Sequence, residues 1–381
     1  MRGMHRVLIL GGGFGGIATA LGLRQRLGPD DEVVVVDRRQ TFVMGLRKNW
    51  GIVGMEPLDL GERRLDLLRE RGIDVRHGEI EAIDPVARTA SVGGRELRSD
   101  VLVVALGAER DVDAIPGLRA HGHDIYDREA NATNAAAVEA FRGGRVVIGV
   151  FGAPYPCPPA PYELALMLTE RFDERGFDFG MFVFTSLPKS LPILGDAGCA
   201  AFDGRLAGAG ISLRTSTQAQ EVRPGEVAIA DGRIPFDLLL AVPPHRAPRV
   251  VREAGLTGPS GWIPVEARTL QTRHDGVFAV GDVTAIPLSN GMALPKAGVF
   301  AQAEGEVVAA RIADALAGRG PVEEFAGEGL CFLESGRGRA SAVQGRFLAD
   351  PPEIVLTEPS EEGFAAKRAF ESERLAAWFG R

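Results

Sequence analysis

Apolar positions along the chain fall mostly into short unbroken runs separated by turn residues. His5–Leu10 (HRVLIL), Glu32–Asp37 (EVVVVD), Asp100–Ala105 (DVLVVA), Val146–Phe151 (VVIGVF) and Gly276–Ala285 (GVFAVGDVTA) are the clearest. Unbroken runs of this length suit strands covered on both faces, as in a parallel sheet. Between them, residues 17–27, 131–141, 197–206 and 295–316 carry apolar residues at helical spacing, and a further helix is expected from about Pro161. Phe182–Thr185 adds a strand, Ile73–Ile83 a strand pair, and Ala90–Leu97 a hairpin turning at Gly93-Gly94. Leu58–Arg71 reads as a charged helix, Thr41–Met55 as a loop and Ile211–Leu240 as a β-meander. The last stretch, residues 365–379, sets Phe370, Leu375, Trp378 and Phe379 among Lys and Glu, as a helix that docks on its own domain or on a membrane surface. Strand and helix alternate, so the fold class is α/β.

Two of the strands end in recognisable turns. After Leu10, Gly11-Gly12-Gly13-Phe14-Gly15-Gly16 contains G-x-G-x-x-G at Gly11, Gly13 and Gly16, and the second strand ends in Asp37 about 20 residues later. That combination places a pyrophosphate on a helix N-terminus and a carboxylate on a ribose hydroxyl. After Asp100–Ala105 come Leu106-Gly107-Ala108, small enough for the chain to pass close to such a ligand. Gly281-Asp282 puts a second carboxylate at a strand end, and Lys296 is either a charge for an anion or an ordinary solvated lysine.

The stretch Val146–Leu168 breaks the pattern. Its strand and helix should flank a second glycine fingerprint, but the turn is YPCPPAPYE, with prolines at 154, 156, 158, 159 and 161 around Cys157. Prolines fix φ and crowd out the backbone approach a pyrophosphate needs. The site therefore presents a thiol where a nicotinamide cofactor would otherwise bind. A helix N-terminus beyond Cys157 should lower its pKa, and Glu163 in the first turn could act as an acid or base or merely as a favourable helix charge.

Composition narrows the partners. With 381 residues, a net charge of −8 and 25% charged residues, the chain is long enough for two or three cored domains and ill suited to nucleic acid. Three cysteines are too few for a disulfide framework, so each needs its own reason. Cys199, among alanines, reads as packing, whereas Cys331 lies in the apolar strand GLCFLE. No C-x-x-C occurs, which excludes a local-dithiol disulfide reductase, and His121-x-His123 is a surface pair with no further ligands, so no metal is expected. The glycines near the start fit a strand and turn better than a leader, and no run is long and glycine-free enough to span a bilayer, which suggests a cytoplasmic protein or one peripheral on the inner membrane surface.

GGGFGG, Asp37, VVALGA and GVFAVGD together resemble the two-dinucleotide-fold flavoproteins of the disulfide-reductase superfamily. Within it, PYPCPPAPYE, ALPKAG and GLCFLE resemble the sulfide:quinone oxidoreductases and the flavoprotein subunit of flavocytochrome c sulfide dehydrogenases. The resemblance implies two Rossmann-like domains with a small C-terminal α+β region. Residues 1–110 and 255–325 would form the FAD domain, 111–254 the second domain, and 326–381 the C-terminal part. It implies that Cys157 and Cys331 meet as a disulfide or sulfur-bridged pair over FAD. Cys157 would carry sulfur and Cys331 would react with the flavin, with Glu163 beside them. Cofactor contacts would come from Gly11, Gly13, Phe14, Gly16, Asp37, Arg38, Lys48, Ile80, Ala105, Gly107, Gly281, Asp282 and Lys296. The expected substrate is sulfide or a persulfide, the acceptor a quinone or cytochrome c. Two departures stand out: residues 110–145 lack the third cysteine of many sulfide:quinone oxidoreductases, and residues 41–55 lack a cysteine to attach FAD, which should be non-covalent. The rival readings are a type II NAD(P)H:quinone dehydrogenase, which needs a second glycine fingerprint, and a non-catalytic interaction protein stabilised by its flavin.

Overall fold

A computed structural model describes residues 4–380. Two five-stranded parallel sheets carry the fold. In the first the order is Val277–Ala279, Val101–Val104, Arg6–Leu10, Glu32–Asp37, Asp74–His77. In the second it is His123–Asp124, Leu238–Val242, Gly144–Val150, Phe179–Thr185, Ile211–Arg214. Each sheet grows outward from its first long strand and then returns to that strand's other side, so each has a switch point where neighbouring strands lead in opposite directions. Crevices for ligands open there, at the carboxyl ends of the strands. The two domains are joined by an antiparallel pair, Glu109–Arg110 with His245–Arg246.

The central strands are buried along their unbroken apolar runs: Val7, Leu8, Ile9, Leu10 and Val33 to Val36 are at most 2% exposed. Helix Phe14–Arg26 lies against helix Gly298–Leu316 at a crossing made close by glycine. A Cβ on Gly305 would stand 2.5 Å from the Gly15 carbonyl oxygen. The C-terminal part is a three-stranded antiparallel sheet, Glu328–Glu334, Ala340–Arg346 and Glu353–Leu356, followed by helix Glu361–Phe379. Ser360 caps that helix by accepting the Gly363 N–H at 3.0 Å. Its end docks on the first domain, where the Trp378 ring meets Phe14 and Phe42 edge-on at 5.4 and 5.6 Å between centroids.

Four local expectations are corrected. Leu58–Arg71 is two 3-10 turns, Leu58–Gly61 and Leu65–Arg71, around a short strand, not one helix. The break falls at Gly61, where a Cβ would lie 2.2 Å from Arg47 Nε, so a buried arginine occupies the space a continuous helix would fill. Thr41–Met55 is not all loop: it holds the strand Thr41–Phe42 and the helix Arg47–Ile52. In Ile211–Leu240 only the middle three strands form a meander, while Ile211–Arg214 and Leu238–Val242 belong to the parallel sheet. The helix expected to open at Pro295 starts at Gly298.

Candidate active site

The glycine turn divides its labour. Gly11, at φ +109, donates its N–H to Val36 O at 2.8 Å. A Cβ on Gly16 would lie 1.8 Å from Gly11 O, so these two glycines make the turn and stand behind the site. At Gly13 nothing lies within 4 Å of a Cβ, which leaves the approach open to a ligand. Asp37 is held by the backbone N–H groups of Gly12 and Arg39, each at 2.7 Å.

From this turn a cavity of about 400 Å³ runs to the Cys157 loop. Of the residues expected at the site, Gly13, Phe14, Asp37, Lys48, Ala105, Gly107, Gly281, Asp282, Lys296, Cys157, Glu163 and Cys331 all line it. Cys157 and Cys331 thus line one cavity although 174 positions apart in the chain, near enough for each other's charge to be felt. Four expected contacts do not: Gly11 and Gly16 shape the turn from behind, and Arg38 and Ile80 lie elsewhere. Arg38 is a surface side chain 3.5 Å from Glu79, and Ile80 is buried in the apolar cluster behind the first sheet.

Cys157 takes φ +50, a left-handed conformation that costs a non-glycine residue roughly 1–2 kcal/mol. Its surroundings over-determine it. Its N–H donates to Lys296 O at 2.7 Å, and the Tyr126 hydroxyl lies 2.5 Å from Pro156 O and 3.2 Å from Cys157 O. The expected lowering of the thiol pKa is reversed: burial, with the Glu163 carboxylate adding to it, pushes the Cys157 thiol well above its usual range. Burial likewise pushes Cys331 up to about 12, again with Glu163 contributing. The helix N-terminus offers a fraction of a charge, and burial of the thiol with a buried carboxylate nearby outweighs it.

Glu163 is not a solvated first-turn acid. It is 2% exposed, and Oε1 receives Lys367 Nζ at 2.9 Å and the Glu334 N–H at 2.7 Å. Lys367 also reaches Glu334 Oε2 at 2.9 Å, where Trp50 Nε1 donates at 2.8 Å. Burial raises the Glu163 carboxyl, with Lys367 pulling the other way. Burial works against the Lys367 charge, but the two carboxylates prevail and hold it above its ordinary value.

Lys296 is not the solvated lysine either. It is 8% exposed, donates to Asp282 O at 2.6 Å and Thr284 O at 2.9 Å, and stands 3.6 Å from the centre of the Trp262 ring. Burial lowers it to about 8. Lys48, bonded to Tyr126 O at 2.9 Å, is also brought down to about 8 by burial, then by Arg110 and Arg39. Neither lysine has a carboxylate within 4.0 Å among the described residues, so the cavity wall carries two cations without anionic partners. Asp282 has no hydrogen-bond partner for its carboxylate among them, and burial raises it.

Lys367, Tyr126 and His245 were invisible to sequence reasoning. All three line the cavity, and none sits in a motif. His245 Nδ1 lies 2.8 Å from Pro243 O, and burial brings the ring down to about 4, so it is neutral. Among the described residues no cluster of His, Cys, Asp and Glu could hold a metal, and no helix is long and apolar enough to cross a membrane.

The pyridine nucleotide-disulphide oxidoreductase family model matches residues 5–305, and the chain belongs to that family. It is a flavoprotein oxidoreductase, and its cofactor is FAD. The open backbone at Gly13, the helix behind it, the unpartnered Asp282 and the two unpaired lysines fit that cofactor. A sulfide-quinone reductase of Aquifex aeolicus is 28% identical over 96% of this chain and 89% of its own. The X-ray structure of the sulfide:quinone oxidoreductase from that bacterium superposes with a TM-score of 0.89 at 25% identity, covering 98% of this chain and 91% of that one. A type II NADH:quinone oxidoreductase of Staphylococcus haemolyticus is 24% identical over 90% of both chains.

Proposed function

We propose that the chain oxidises sulfide with FAD through the pair Cys157 and Cys331 and passes the electrons to a quinone. The observation that carries this is that both cysteines line the one cavity that the glycine turn, Asp282 and Lys296 complete. Cys157 and Cys331 are both free in the structure, and the cycle starts from an oxidised form in which their sulfurs are joined. Hydrosulfide attacks the Cys157 sulfur, the S–S bond breaks, and Cys157 persulfide and Cys331 thiolate result. When the Cys331 sulfur rejoins the persulfide as a three-sulfur bridge, two electrons leave, and FAD is the group that accepts them. A further hydrosulfide displaces the bridging sulfur as polysulfide. Burial and the nearby Glu163 make separate thiolates costly here, so cysteines released during the cycle are held as neutral thiols or drawn back into the bridge. Glu163, with its raised carboxyl and buried Lys367 clamp, holds the proton that hydrosulfide or thiolate exchanges.

The acceptor is argued from access. Leu330, Phe370 and Val299 line both this cavity and an outer groove of about 920 Å³. The three shared residues make an apolar junction that suits a quinone ring, while Glu306, Glu328, Arg346, Glu353 and Arg374 line the groove outside it. Leu330 and Val355, 38% and 58% exposed on its lining, are where a peripheral contact with a quinone-bearing membrane would fall. Against an NADH dehydrogenase stands the second strand-turn-helix, where five prolines crowd the turn and a Cβ on Gly152 would lie 3.0 Å from Pro244.

Anaerobic titration tests the reading. Sulfide should bleach the flavin band, while NADH should leave it. Cys157→Ser and Cys331→Ser should each keep FAD and lose reduction by sulfide by about 10³-fold or more, since the covalent route is gone. Full sulfide reduction in both variants, or rapid bleaching by NADH alone, would refute it.

A further inference from the structure

Glu304 lies in helix Gly298–Leu316, 2% exposed and outside the cavity lining. Its Oε2 accepts the N–H of Gly281 at 2.5 Å. Gly281, at φ +77, begins the turn that presents Asp282 to the cavity. The charged groups facing Glu304 from other elements are Asp282 and Lys296. Helix Phe14–Arg26 meets this helix through Gly15 and Thr19, which bring no charge. No cation lies within 4.0 Å of the Glu304 carboxylate among the described residues, and Lys296 directs its hydrogens to backbone carbonyls. A carboxylate buried with one N–H and no contacting cation is a poorly supported charge. Burial accordingly pushes Glu304 up to about 8, with Asp282 adding to the rise and the Gly281 N–H opposing it.

We propose that Glu304 is a positioning residue that holds the Gly281–Asp282 turn and takes up a proton from solvent when the bound FAD is reduced. Two-electron reduction of FAD to its anionic form takes one proton by itself. Negative charge added to a cofactor held in the cavity that Gly281 and Asp282 line would disfavour the Glu304 carboxylate, and a second proton would convert it to the acid. The electrons come from whatever reduces the cofactor and the protons from solvent. The proposal rests on the FAD assignment and is independent of sulfide chemistry.

The test is an anaerobic reduction of the holoenzyme with dithionite, without sulfide, following proton uptake per FAD with an indicator dye. Near pH 8, where Glu304 is about half protonated before reduction, the wild type should take up an extra few tenths of a proton, up to about half, beyond Glu304→Gln, which keeps an acceptor for Gly281 and cannot titrate. A difference below about 0.1 proton overturns the proposal, because Lys296 or another group would then carry the uptake. Should Glu304→Gln lose FAD, Glu304→Asp decides: its shorter carboxyl should shift the pH of greatest uptake, and an unmoved curve refutes the role.

Discussion

Replacing Lys367 by Met would leave two carboxylates, Glu163 and Glu334, buried without their shared cation. Both are 2% exposed, so water does not replace it. Removing one partner of a buried ion pair costs about 3–5 kcal/mol, because the remaining charge is uncompensated. With a guanidinium slope of roughly 5 kcal/mol/M, that is a fall in midpoint of about 0.6–1 M. Trp50 donates to Glu334 and lies beside Lys367, so tryptophan fluorescence reports on the unfolding of this region. The pH dependence carries the decisive sign. Glu163 already has a raised carboxyl in the folded state, and losing Lys367 raises it further. A raised folded pKa contributes stability that is fully present below the unfolded value, about 4.3, and lost as pH rises through the folded value. The deficit of Lys367→Met should therefore be largest at neutral pH and shrink towards pH 4. A deficit under about 1 kcal/mol at pH 7, or one that grows on acidification, would show that the two carboxylates are not the charges Lys367 compensates.

Gly16→Ala should abolish FAD retention, since its Cβ would need space 1.8 Å from Gly11 O; a purified variant with a full flavin band would contradict that geometry. With the pair reduced, iodoacetamide should modify Cys331 at pH 8 about 10³-fold more slowly than an ordinary thiol, because a pKa of about 12 leaves roughly 10⁻⁴ as thiolate. Mass spectrometry of the modified peptide should show the rate rising about tenfold per pH unit up to pH 11, and a plateau near pH 9 would refute the assigned burial.

What the sequence made legible was local. Gly11 to Gly16, Asp37 and Gly281-Asp282 each sit at the end of an apolar strand within a few residues of the backbone they shape, so motif and geometry coincide. The Cys157 loop could be read because its prolines contradict a pattern the neighbouring strand and helix set up. The Lys367 clamp could not be read, because it depends on residues 163, 334 and 367 arriving together from three elements. Along its own helix Lys367 stands next to the exposed Arg368 and looks like one more solvated charge. The Cys157 titration escapes sequence reading for the same reason: the helix is visible, while the burial and the Glu163 charge are tertiary facts. Helix Arg47–Ile52 gives little signal because it is six residues long and has no side-chain cap. The break at Gly61 reflects a distant partner too, since the space taken there belongs to Arg47, bound to Glu371 on the last helix at 2.7 Å.

The contact of Trp378 with Phe14 joins positions 364 residues apart. Phe14 borders the cavity at the glycine turn, and Phe370 and Lys367 of the same last helix border it at the cysteines. One helix therefore closes both ends of the site, and loops of that length close late in folding because their entropy must be overcome before any contact rewards it. The early strands can pair without it, but a complete binding cavity exists only after the C-terminal helix has docked. FAD, by binding that closed form, draws the equilibrium towards it. Cofactor binding therefore stabilises the docked C-terminal helix by mass action, and flavin retention and the resistance of that helix to opening should rise and fall together.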